Sequence, residues 1–344
     1  MGLSPLPIPA HYQPQQVAEV WPVPYQQRSQ EAQAWRDQHR LPPADADALT
    51  IGLLLIDVQN TFCIPEFELF VGGRSGQGAV ADNRRLCEFI YQNLGHITQI
   101  LATLDTHTAT QIFHPIFWVD ANGAHPAPMT AISAADVTQG TWRVNPAVAA
   151  VTPNGGAWLQ DYAVHYVNAL DANSKYPLII WPYHAMVGGI GHALVSSVEE
   201  ACVFHTFARS SQTHFEQKGS NPLTENYSVL RPEVQADHNG RAIAAPNTAF
   251  LQRLLSFDRL IVAGQAQSHC VAWTVDDLLT DLQAQRPEFI QQVYLLEDCT
   301  SAVVAPGADF TAQASQAFEK FAAAGMRCVR STEPMATWEG MVTR

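Results

Sequence analysis

The chain has 344 residues, of which 47% are hydrophobic, and a formal net charge of -13 at pH 7. This length and apolar content permit one large domain with a sizeable core. The acidic balance disfavours nucleic acid and anionic membrane surfaces as partners, because both require clustered Lys and Arg. A small-molecule substrate is therefore the better expectation.

The N-terminal segment lacks the basic region and apolar stretch of a signal peptide, and no apolar run approaches membrane-spanning length. Both observations predict a soluble, cytoplasmic protein. The six cysteines are scattered along a chain too long to need disulfides, so we expect free thiols. Five of them are expected to be plain core residues.

Residues 1–48 are rich in Pro and Gln and contain one charged helical patch at 27–40. We interpret them as an N-terminal extension that wraps the core or reaches a partner subunit. Residues 49–344 are predicted to form one domain. It begins with LTIGLLLIDVQ, a continuous apolar run that is typical of a strand buried on both faces.

Further apolar runs predict buried strands, and segments with helical period lie between several of them. The predicted strands are 97–105, 176–182, 200–207, 258–265, 291–298 and 326–332. Helices are predicted at 271–282 and at 247–255, where Asn247 is the expected N-cap. This alternation predicts an α/β fold, a three-layer αβα sandwich around a doubly wound, mostly parallel sheet.

Residues 119–175 interrupt the alternation, because most of this segment is rich in Ala, Pro and Gly and has no sustained period. Within it, 158–170 shows helical spacing of aromatic residues. We interpret the segment as an insertion that forms a lid or an oligomer contact. A homo-oligomer is one alternative that this leaves open.

In an open α/β sheet, ligands bind beyond the carboxyl ends of the strands, so polar residues just after apolar runs are candidates for chemistry. Cys270 follows one such run at the first turn of a helix, where free N–H groups favour a thiolate nucleophile. The alternative is an inert core cysteine. Asp57 follows the first strand and is either a helix cap or the acceptor of the thiol proton. His269, next to Cys270, is at most supporting, since adjacent side chains usually point apart.

A second group of candidates indicates a divalent cation such as zinc, iron or manganese. Asp105 and His107 are two residues apart in an extended segment and therefore share a face. His184 and, with less support, His114 add imidazole ligands near other strand ends. For any one of these histidines, a packing role is the alternative.

Five separated motifs occur in an order that resembles the isochorismatase-like cysteine hydrolases, and among them the nicotinamidases most closely. The resemblance spans about residues 50–332. The motifs are D-x-Q-x-x-F (Asp57, Gln59, Phe62), D-x-H (Asp105, His107), W-P-x-H with G-x-x-G (Trp181, Pro182, His184, Gly188, Gly191), K-G (Lys218, Gly219) and G-x-A-x-x-x-C (Gly264, Ala266, Cys270).

The resemblance implies a cysteine amidohydrolase, with a role in NAD salvage, that converts nicotinamide or a similar carboxamide to the acid and ammonia through a thioester. Asp57 would take the thiol proton, Lys218 would stabilise negative charge and Cys270 would attack. The backbone N–H groups of Ala266 and Cys270 would form the oxyanion hole, with a cis peptide between Gln265 and Ala266. The metal would bind the ring nitrogen of the substrate.

Three departures leave the substrate open. Thr61 replaces a second acid, Ala185 replaces a cysteine, and the segment between His114 and Trp181 is long. The alternatives are a carbamoyl-amine hydrolase or an isochorismatase-type enzyme, for which the metal ligands would be unnecessary, and a catalytically silent scaffold. A thiol redox protein ranks last, because no C-x-x-C pair is present.

Overall fold

The structure, a computed structural model, describes residues 4–172, 176–305 and 307–341. The strands are β1 (Ile51–Ile56), β2 (Gln99–Asp105), β3 (Trp118–Val119), β4 (Ala131–Ile132), β5 (Arg143–Val144), β6 (Leu178–Ile179), β7 (His214–Lys218), β8 (Arg259–Gly264), β9 (Val293–Leu296), β10 (Val304–Ala305), β11 (Ala308–Asp309) and β12 (Arg327–Val329). The α-helices are α1 (Tyr25–His39), α2 (Asn60–Cys63), α3 (Gly78–Gln92), α4 (Ala134–Thr138), α5 (Gly155–Ala172), α6 (Ser196–Arg209), α7 (Thr248–Leu254), α8 (Ala272–Gln285) and α9 (Thr311–Ala324).

Six strands form one parallel sheet in the order β12-β9-β8-β1-β2-β7. Strand β1 is buried along its whole length, and its alternate residues enter two different cores. Leu54 and Ile56 pack into a core that contains residues of α5, α7, α8 and α9, whereas Leu53 and Leu55 pack into one that contains residues of α1, α3 and α6. The predicted three-layer, doubly wound sandwich is thus confirmed.

Two predicted strands are wrong. Residues 200–207 lie inside helix α6, whose buried positions Val198, Ala201 and Cys202 follow the helical period. A short apolar run cannot by itself distinguish a strand from a buried helix. Of 176–182 only β6 is extended, and it pairs with β4 in a two-stranded antiparallel ribbon outside the main sheet.

Edge strand β7 was missing from the prediction. Its residues alternate between partly exposed and exposed positions, and only the last one, Lys218, is buried. A polar sequence such as HFEQK lacks the apolar run that marked the other strands.

Helix α1, within the predicted extension, packs along α6. The side chains of Arg28 and Glu200 form a buried ion pair, with 2.5 Å between Nε and Oε1. In the predicted insertion, β3 pairs with β5, and α5 is the longest helix of the described chain. Within the described ranges, no helix combines the length and apolar character that crossing a bilayer requires.

Gly264 ends β8 at a close approach between two strands. Its φ is +123°, and a Cβ placed there would lie 2.1 Å from the carbonyl oxygen of Ile56. We expect Gly264→Ala to lower the free energy of unfolding by roughly 3 kcal/mol, from backbone strain and overpacking together. The urea midpoint measures this loss.

Gly240→Ala is the matched control, since Gly240 has φ of +75° but no atom within 4 Å of the added Cβ. This variant should lose about 1 kcal/mol of the free energy of unfolding, from the left-handed backbone conformation alone. Equal losses in the two variants would contradict the steric explanation.

Candidate active site

Four neighbouring strands place one polar side chain each at the carboxyl edge of the sheet. Asp105 and Lys218 are the last residues of β2 and β7 and are partners in register. Asp57 directly follows β1, and Cys270 lies in the helical turn Gln267–Val271 that follows β8. The side chains therefore meet beyond the carboxyl ends of the strands, where open α/β sheets bind their ligands.

The ammonium group of Lys218 is the centre of this cluster. Its Nζ lies 2.9 Å from Asp57 Oδ2 and 3.0 Å from Asp105 Oδ1. It also donates to the carbonyl of Asn226 at 2.9 Å and to Cys270 Sγ at 3.6 Å. Burial alone would lower the pKa of Lys218, but the charges of Asp105 and Asp57 outweigh it and raise the pKa well above its usual value. Lys218 is thus a fixed cation.

Asp57 is fully buried and is held by the neighbouring strand. The hydroxyl of Thr103 donates to Asp57 Oδ1 at 2.5 Å and accepts from the Asp57 amide at 3.0 Å. Burial raises the pKa of Asp57, while the charge of Lys218 opposes the shift. A carboxylate with a raised pKa is a better proton acceptor, as a general base requires.

Cys270 lies in a π-helical turn, Gln267–Val271, that precedes α8. Burial raises the pKa of its thiol well above the usual value; Lys218 opposes the shift, and the negative charge of Asp57 adds to it. The sequence predicted a thiolate at the helix start; the structure instead favours a protonated thiol next to a base, because the side chain is buried. The Gln265–Ala266 peptide bond is cis.

His269 is also buried beside Cys270, and burial lowers its pKa to about 3. Its Nδ1 faces the hydroxyl of Ser268 at 2.8 Å. A group with this pKa cannot hold the thiol proton at neutral pH, so Asp57 is the better candidate for a base.

Asp105, His107 and His184 form a group that can hold a cation. Their ligand atoms all lie within 4.8 Å of one another, and all three residues are buried. The Nε2 atoms of His107 and His184 lie 2.9 Å and 3.7 Å from Asp105 Oδ2. Burial would raise the pKa of Asp105, but the neighbouring His107 and Lys218 hold it well below its usual value.

The outer nitrogens of both rings have backbone partners. Nδ1 of His107 lies 3.0 Å from the Gly219 carbonyl, and Nδ1 of His184 lies 2.8 Å from the Pro182 carbonyl. A ring that donates its Nδ1–H to such a carbonyl directs Nε2 toward the carboxylate, which is the arrangement that metal-ligating histidines adopt. The donor set N, N, O fits zinc, iron or manganese.

His114 lies next to this group, outside the three residues whose ligand atoms lie within 4.8 Å of one another. Its ring centre is 6.0 Å from that of His107 and 6.2 Å from that of His184. Burial lowers its pKa to about 3. Its Nε2 is buried and has no hydrogen-bond partner in the described part of the chain.

Two motif residues support the site from behind. Gln59 donates to the Asp105 carbonyl at 2.9 Å and accepts from its amide at 2.8 Å, which ties the ends of β1 and β2 together. Gly219 has φ of +81°, and a Cβ there would lie 2.7 Å from both Asp105 Oδ1 and His107 Cε1. The space beside the cation group therefore requires glycine.

A cavity of about 440 Å³, including its opening, connects Cys270 with the cation group. Its wall combines aromatic, apolar and polar side chains. The lining residues are Phe62, Leu69, Val71, Asp105, His107, Trp181, His184, Glu225, Asn226, Tyr227, Ala266, His269, Cys270 and Val303. Sequence reasoning missed Glu225, Asn226 and Tyr227, because they lie in a long loop with no periodic or motif signal.

Comparison with solved structures identifies the architecture. Two structures of the yeast nicotinamidase, one bound to the inhibitor nicotinaldehyde, align with TM-scores of 0.51 at 16% and 17% identity. They cover 82% and 81% of this chain and 100% and 99% of their own chains. The chain has a nicotinamidase-like fold. An Acinetobacter nicotinamidase also aligns, at 18% identity and a TM-score of 0.48, over 83% of this chain and 98% of its own. A scan of protein-family models and a search of curated sequences gave no match.

Removal of one imidazole tests the cation group of this nicotinamidase-like fold. We expect His184→Ala to weaken zinc binding by more than the ~10–100-fold that loss of a supporting partner costs, because a direct ligand disappears. Competition with a chromophoric chelator measures the affinity. His125→Ala, which changes an exposed histidine, should leave it unchanged. Equal affinities of the unsubstituted protein and His184→Ala would remove His184 from the ligand group.

Proposed function

We propose that the protein is a cysteine amidohydrolase that converts nicotinamide or a similar aromatic carboxamide to the acid and ammonia. The observation that carries this proposal is the contact of one buried ammonium, Lys218, with Asp57, Asp105 and Cys270. A buried ion cluster of this kind is costly to maintain as a structural device. Its position in a ring-lined cavity beside a cation group supports a role in catalysis.

The first half-reaction forms a thioester. Asp57 accepts the thiol proton of Cys270 as the sulfur attacks the amide carbon, and Lys218 offsets the negative charge. The carbonyl oxygen, which becomes an oxyanion, would receive hydrogen bonds from the backbone amides of Ala266 and Cys270. Asp57 then returns the proton to the leaving nitrogen, the C–N bond breaks, and ammonia departs.

The second half-reaction restores the thiol. Asp57 accepts a proton from a water molecule, whose oxygen attacks the thioester carbon. The C–S bond breaks, and the proton passes to Cys270. The carboxylic acid leaves and the resting ion cluster is restored.

The cation group would hold the ring of the substrate. A metal ion bound by Asp105, His107 and His184 would supply a Lewis-acidic partner for a ring nitrogen. The three ligands favour this reaction over a carbamoyl-amine or isochorismatase-type hydrolysis, for which no such ligand group is needed. His114, with its unpartnered Nε2, is a fourth candidate ligand.

Ammonia release from nicotinamide by the metal-loaded protein tests the proposal. Benzamide, which lacks the ring nitrogen, is the matched substrate control, and N-carbamoylsarcosine represents the rival reaction. We expect fast release from nicotinamide and much slower release from the other two compounds. Release from the carbamoyl amine alone would replace the proposed reaction, and release from none of a broad amide panel would favour the scaffold alternative.

A further inference from the structure

One wall of the cavity is formed by the loop that follows β7, and this loop carries a buried carboxyl group outside the catalytic cluster. Glu225 lines the cavity and is 7% exposed. Its neighbour Asn226 accepts a hydrogen bond from Lys218 through its carbonyl. The loop therefore contributes both to the cavity wall and to the position of the catalytic ammonium.

Two aromatic side chains with polar groups lie beside the carboxyl group. The indole N–H of Trp181 donates to the hydroxyl of Tyr227 at 3.2 Å, and Trp181, Tyr227 and Glu225 all line the cavity. Each oxygen of an ionised carboxylate can accept two hydrogen bonds, so Glu225 can accept a hydrogen bond from a ligand. Burial and the charge of Glu233 raise the pKa of Glu225 well above its usual value. A donor or cation on the ligand would stabilise its ionised form.

Helix α5 of the predicted insertion holds this loop in place. The hydroxyl of Tyr162 donates to the Leu223 carbonyl at 2.7 Å, and the hydroxyl of Tyr166 accepts from the Glu225 amide at 3.2 Å. One turn of the same helix also places His165 Nε2 3.0 Å from the Ala236 carbonyl. Through these contacts, α5 supports the loop that forms this wall of the cavity.

We propose that Glu225 contacts the substrate and selects aromatic carboxamides whose ring carries a hydrogen-bond-donating or cationic nitrogen substituent. Helix α5 acts through Tyr166 as the positioning element for this contact. The inference rests on the proposed function, in that an aromatic carboxamide occupies the cavity. It extends that function by naming the substituent that the wall recognises.

Binding to Cys270→Ala protein tests the inference without requiring turnover. The probes are 5- and 6-aminonicotinamide, each compared with the methyl compound of the same substitution, because amino and methyl groups have similar size. For at least one pair, we expect about tenfold tighter binding of the amino compound by calorimetry, as one additional hydrogen bond to the carboxyl group of Glu225 would give. Introducing Glu225→Met should bring the affinity ratio close to one.

Two further variants separate recognition from folding. Tyr166→Phe should reduce the affinity ratio while zinc affinity stays unchanged, because the cation group does not contact Tyr166. Asn168→Ala is the matched control on the same helix, since its exposed side chain donates to the Val164 carbonyl within α5. Its ratio should equal that of the parent protein.

The outcomes distinguish this inference from the proposed function. Equal binding of amino and methyl compounds at both positions overturns the inference, whether or not the Glu225 variant folds. A preference that persists in a folded Glu225→Met variant does the same. If the protein prefers the amino compounds but hydrolyses no amide, the recognition site is supported and the proposed reaction is not. If it hydrolyses nicotinamide but binds amino and methyl compounds equally, the proposed reaction is supported and the recognition site is not.

Discussion

Cys270→Ala is expected to reduce ammonia release from nicotinamide by at least ~10⁴-fold, because the proposed thioester forms on the sulfur that this substitution removes. The protein should still fold, since the sulfur is small and Ala fits the same turn. Circular dichroism and zinc affinity check the fold and the cation group. Single-turnover mass spectrometry should show an acyl adduct on the unsubstituted protein alone.

A second cysteine variant controls for general thiol effects. Cys202 is buried in α6, and burial raises its pKa to about 12. Cys202→Ala should keep its turnover within a few-fold of the parent. If Cys270→Ala retained a tenth of the parent activity, Cys270 would not be the nucleophile.

Lys218→Met is expected to lower the free energy of unfolding of metal-free protein by about 3–5 kcal/mol, because it removes the cation that two buried carboxylates share. Asp57 and Asp105 lie within 3.0 Å of the ammonium that is lost. Turnover should fall with the same substitution, since the thiol and the developing oxyanion lose their cation. Urea unfolding of the parent and the variant at several pH values measures the difference in free energy of unfolding.

The pH dependence has a definite sign. In the parent, the pKa of Asp105 is held below its usual value, so its ion pair stabilises the fold above that range and is lost on acidification. Without Lys218, the pKa values of Asp57 and Asp105 should both rise. The loss of free energy of unfolding is then greatest at neutral pH, where both groups are ionised, and it decreases as they bind protons. The stability gap between parent and variant should therefore narrow from pH 7.5 to pH 5.

Lys320→Met is the matched control for this series. Lys320 forms an ion pair with Asp276 on the surface, and its side chain is 60% exposed. Exposed ion pairs contribute about 0–1 kcal/mol, so the change should be small and nearly independent of pH. If Lys320→Met and Lys218→Met lost the same free energy of unfolding, burial of the Lys218 ion pairs would not explain the loss.

The sequence was most informative where a strand is buried on both faces. β1 and β8 have continuous apolar runs. Asp57 and Cys270, which follow them, could be selected as candidate site residues from their position after the carboxyl ends of the strands alone. Lys218 could not, because edge strand β7 is polar and half exposed. Only the motif resemblance singled it out, and burial of the ammonium became visible only in the folded chain.

The cavity wall was less predictable for a different physical reason. Glu225 belongs to a loop whose conformation is set by contacts with α5, about sixty residues earlier in the chain. Neither hydrophobic period nor turn chemistry encodes such a long-range contact. The thiol is a further case, since burial overrides the helix-terminus effect that a sequence suggests.

The pairing of Asp105 with Lys218 at the last rung between β2 and β7 makes the chemistry depend on strand register. Side chains alternate faces along a strand, so a shift of one residue in β7 would turn the ammonium to the opposite side of the sheet. An edge strand has a partner on one side only, and a single ladder of hydrogen bonds must therefore maintain this alignment. An insertion in the turn before β7 that shifts this register should therefore leave the protein folded but move Lys218 away from Asp105.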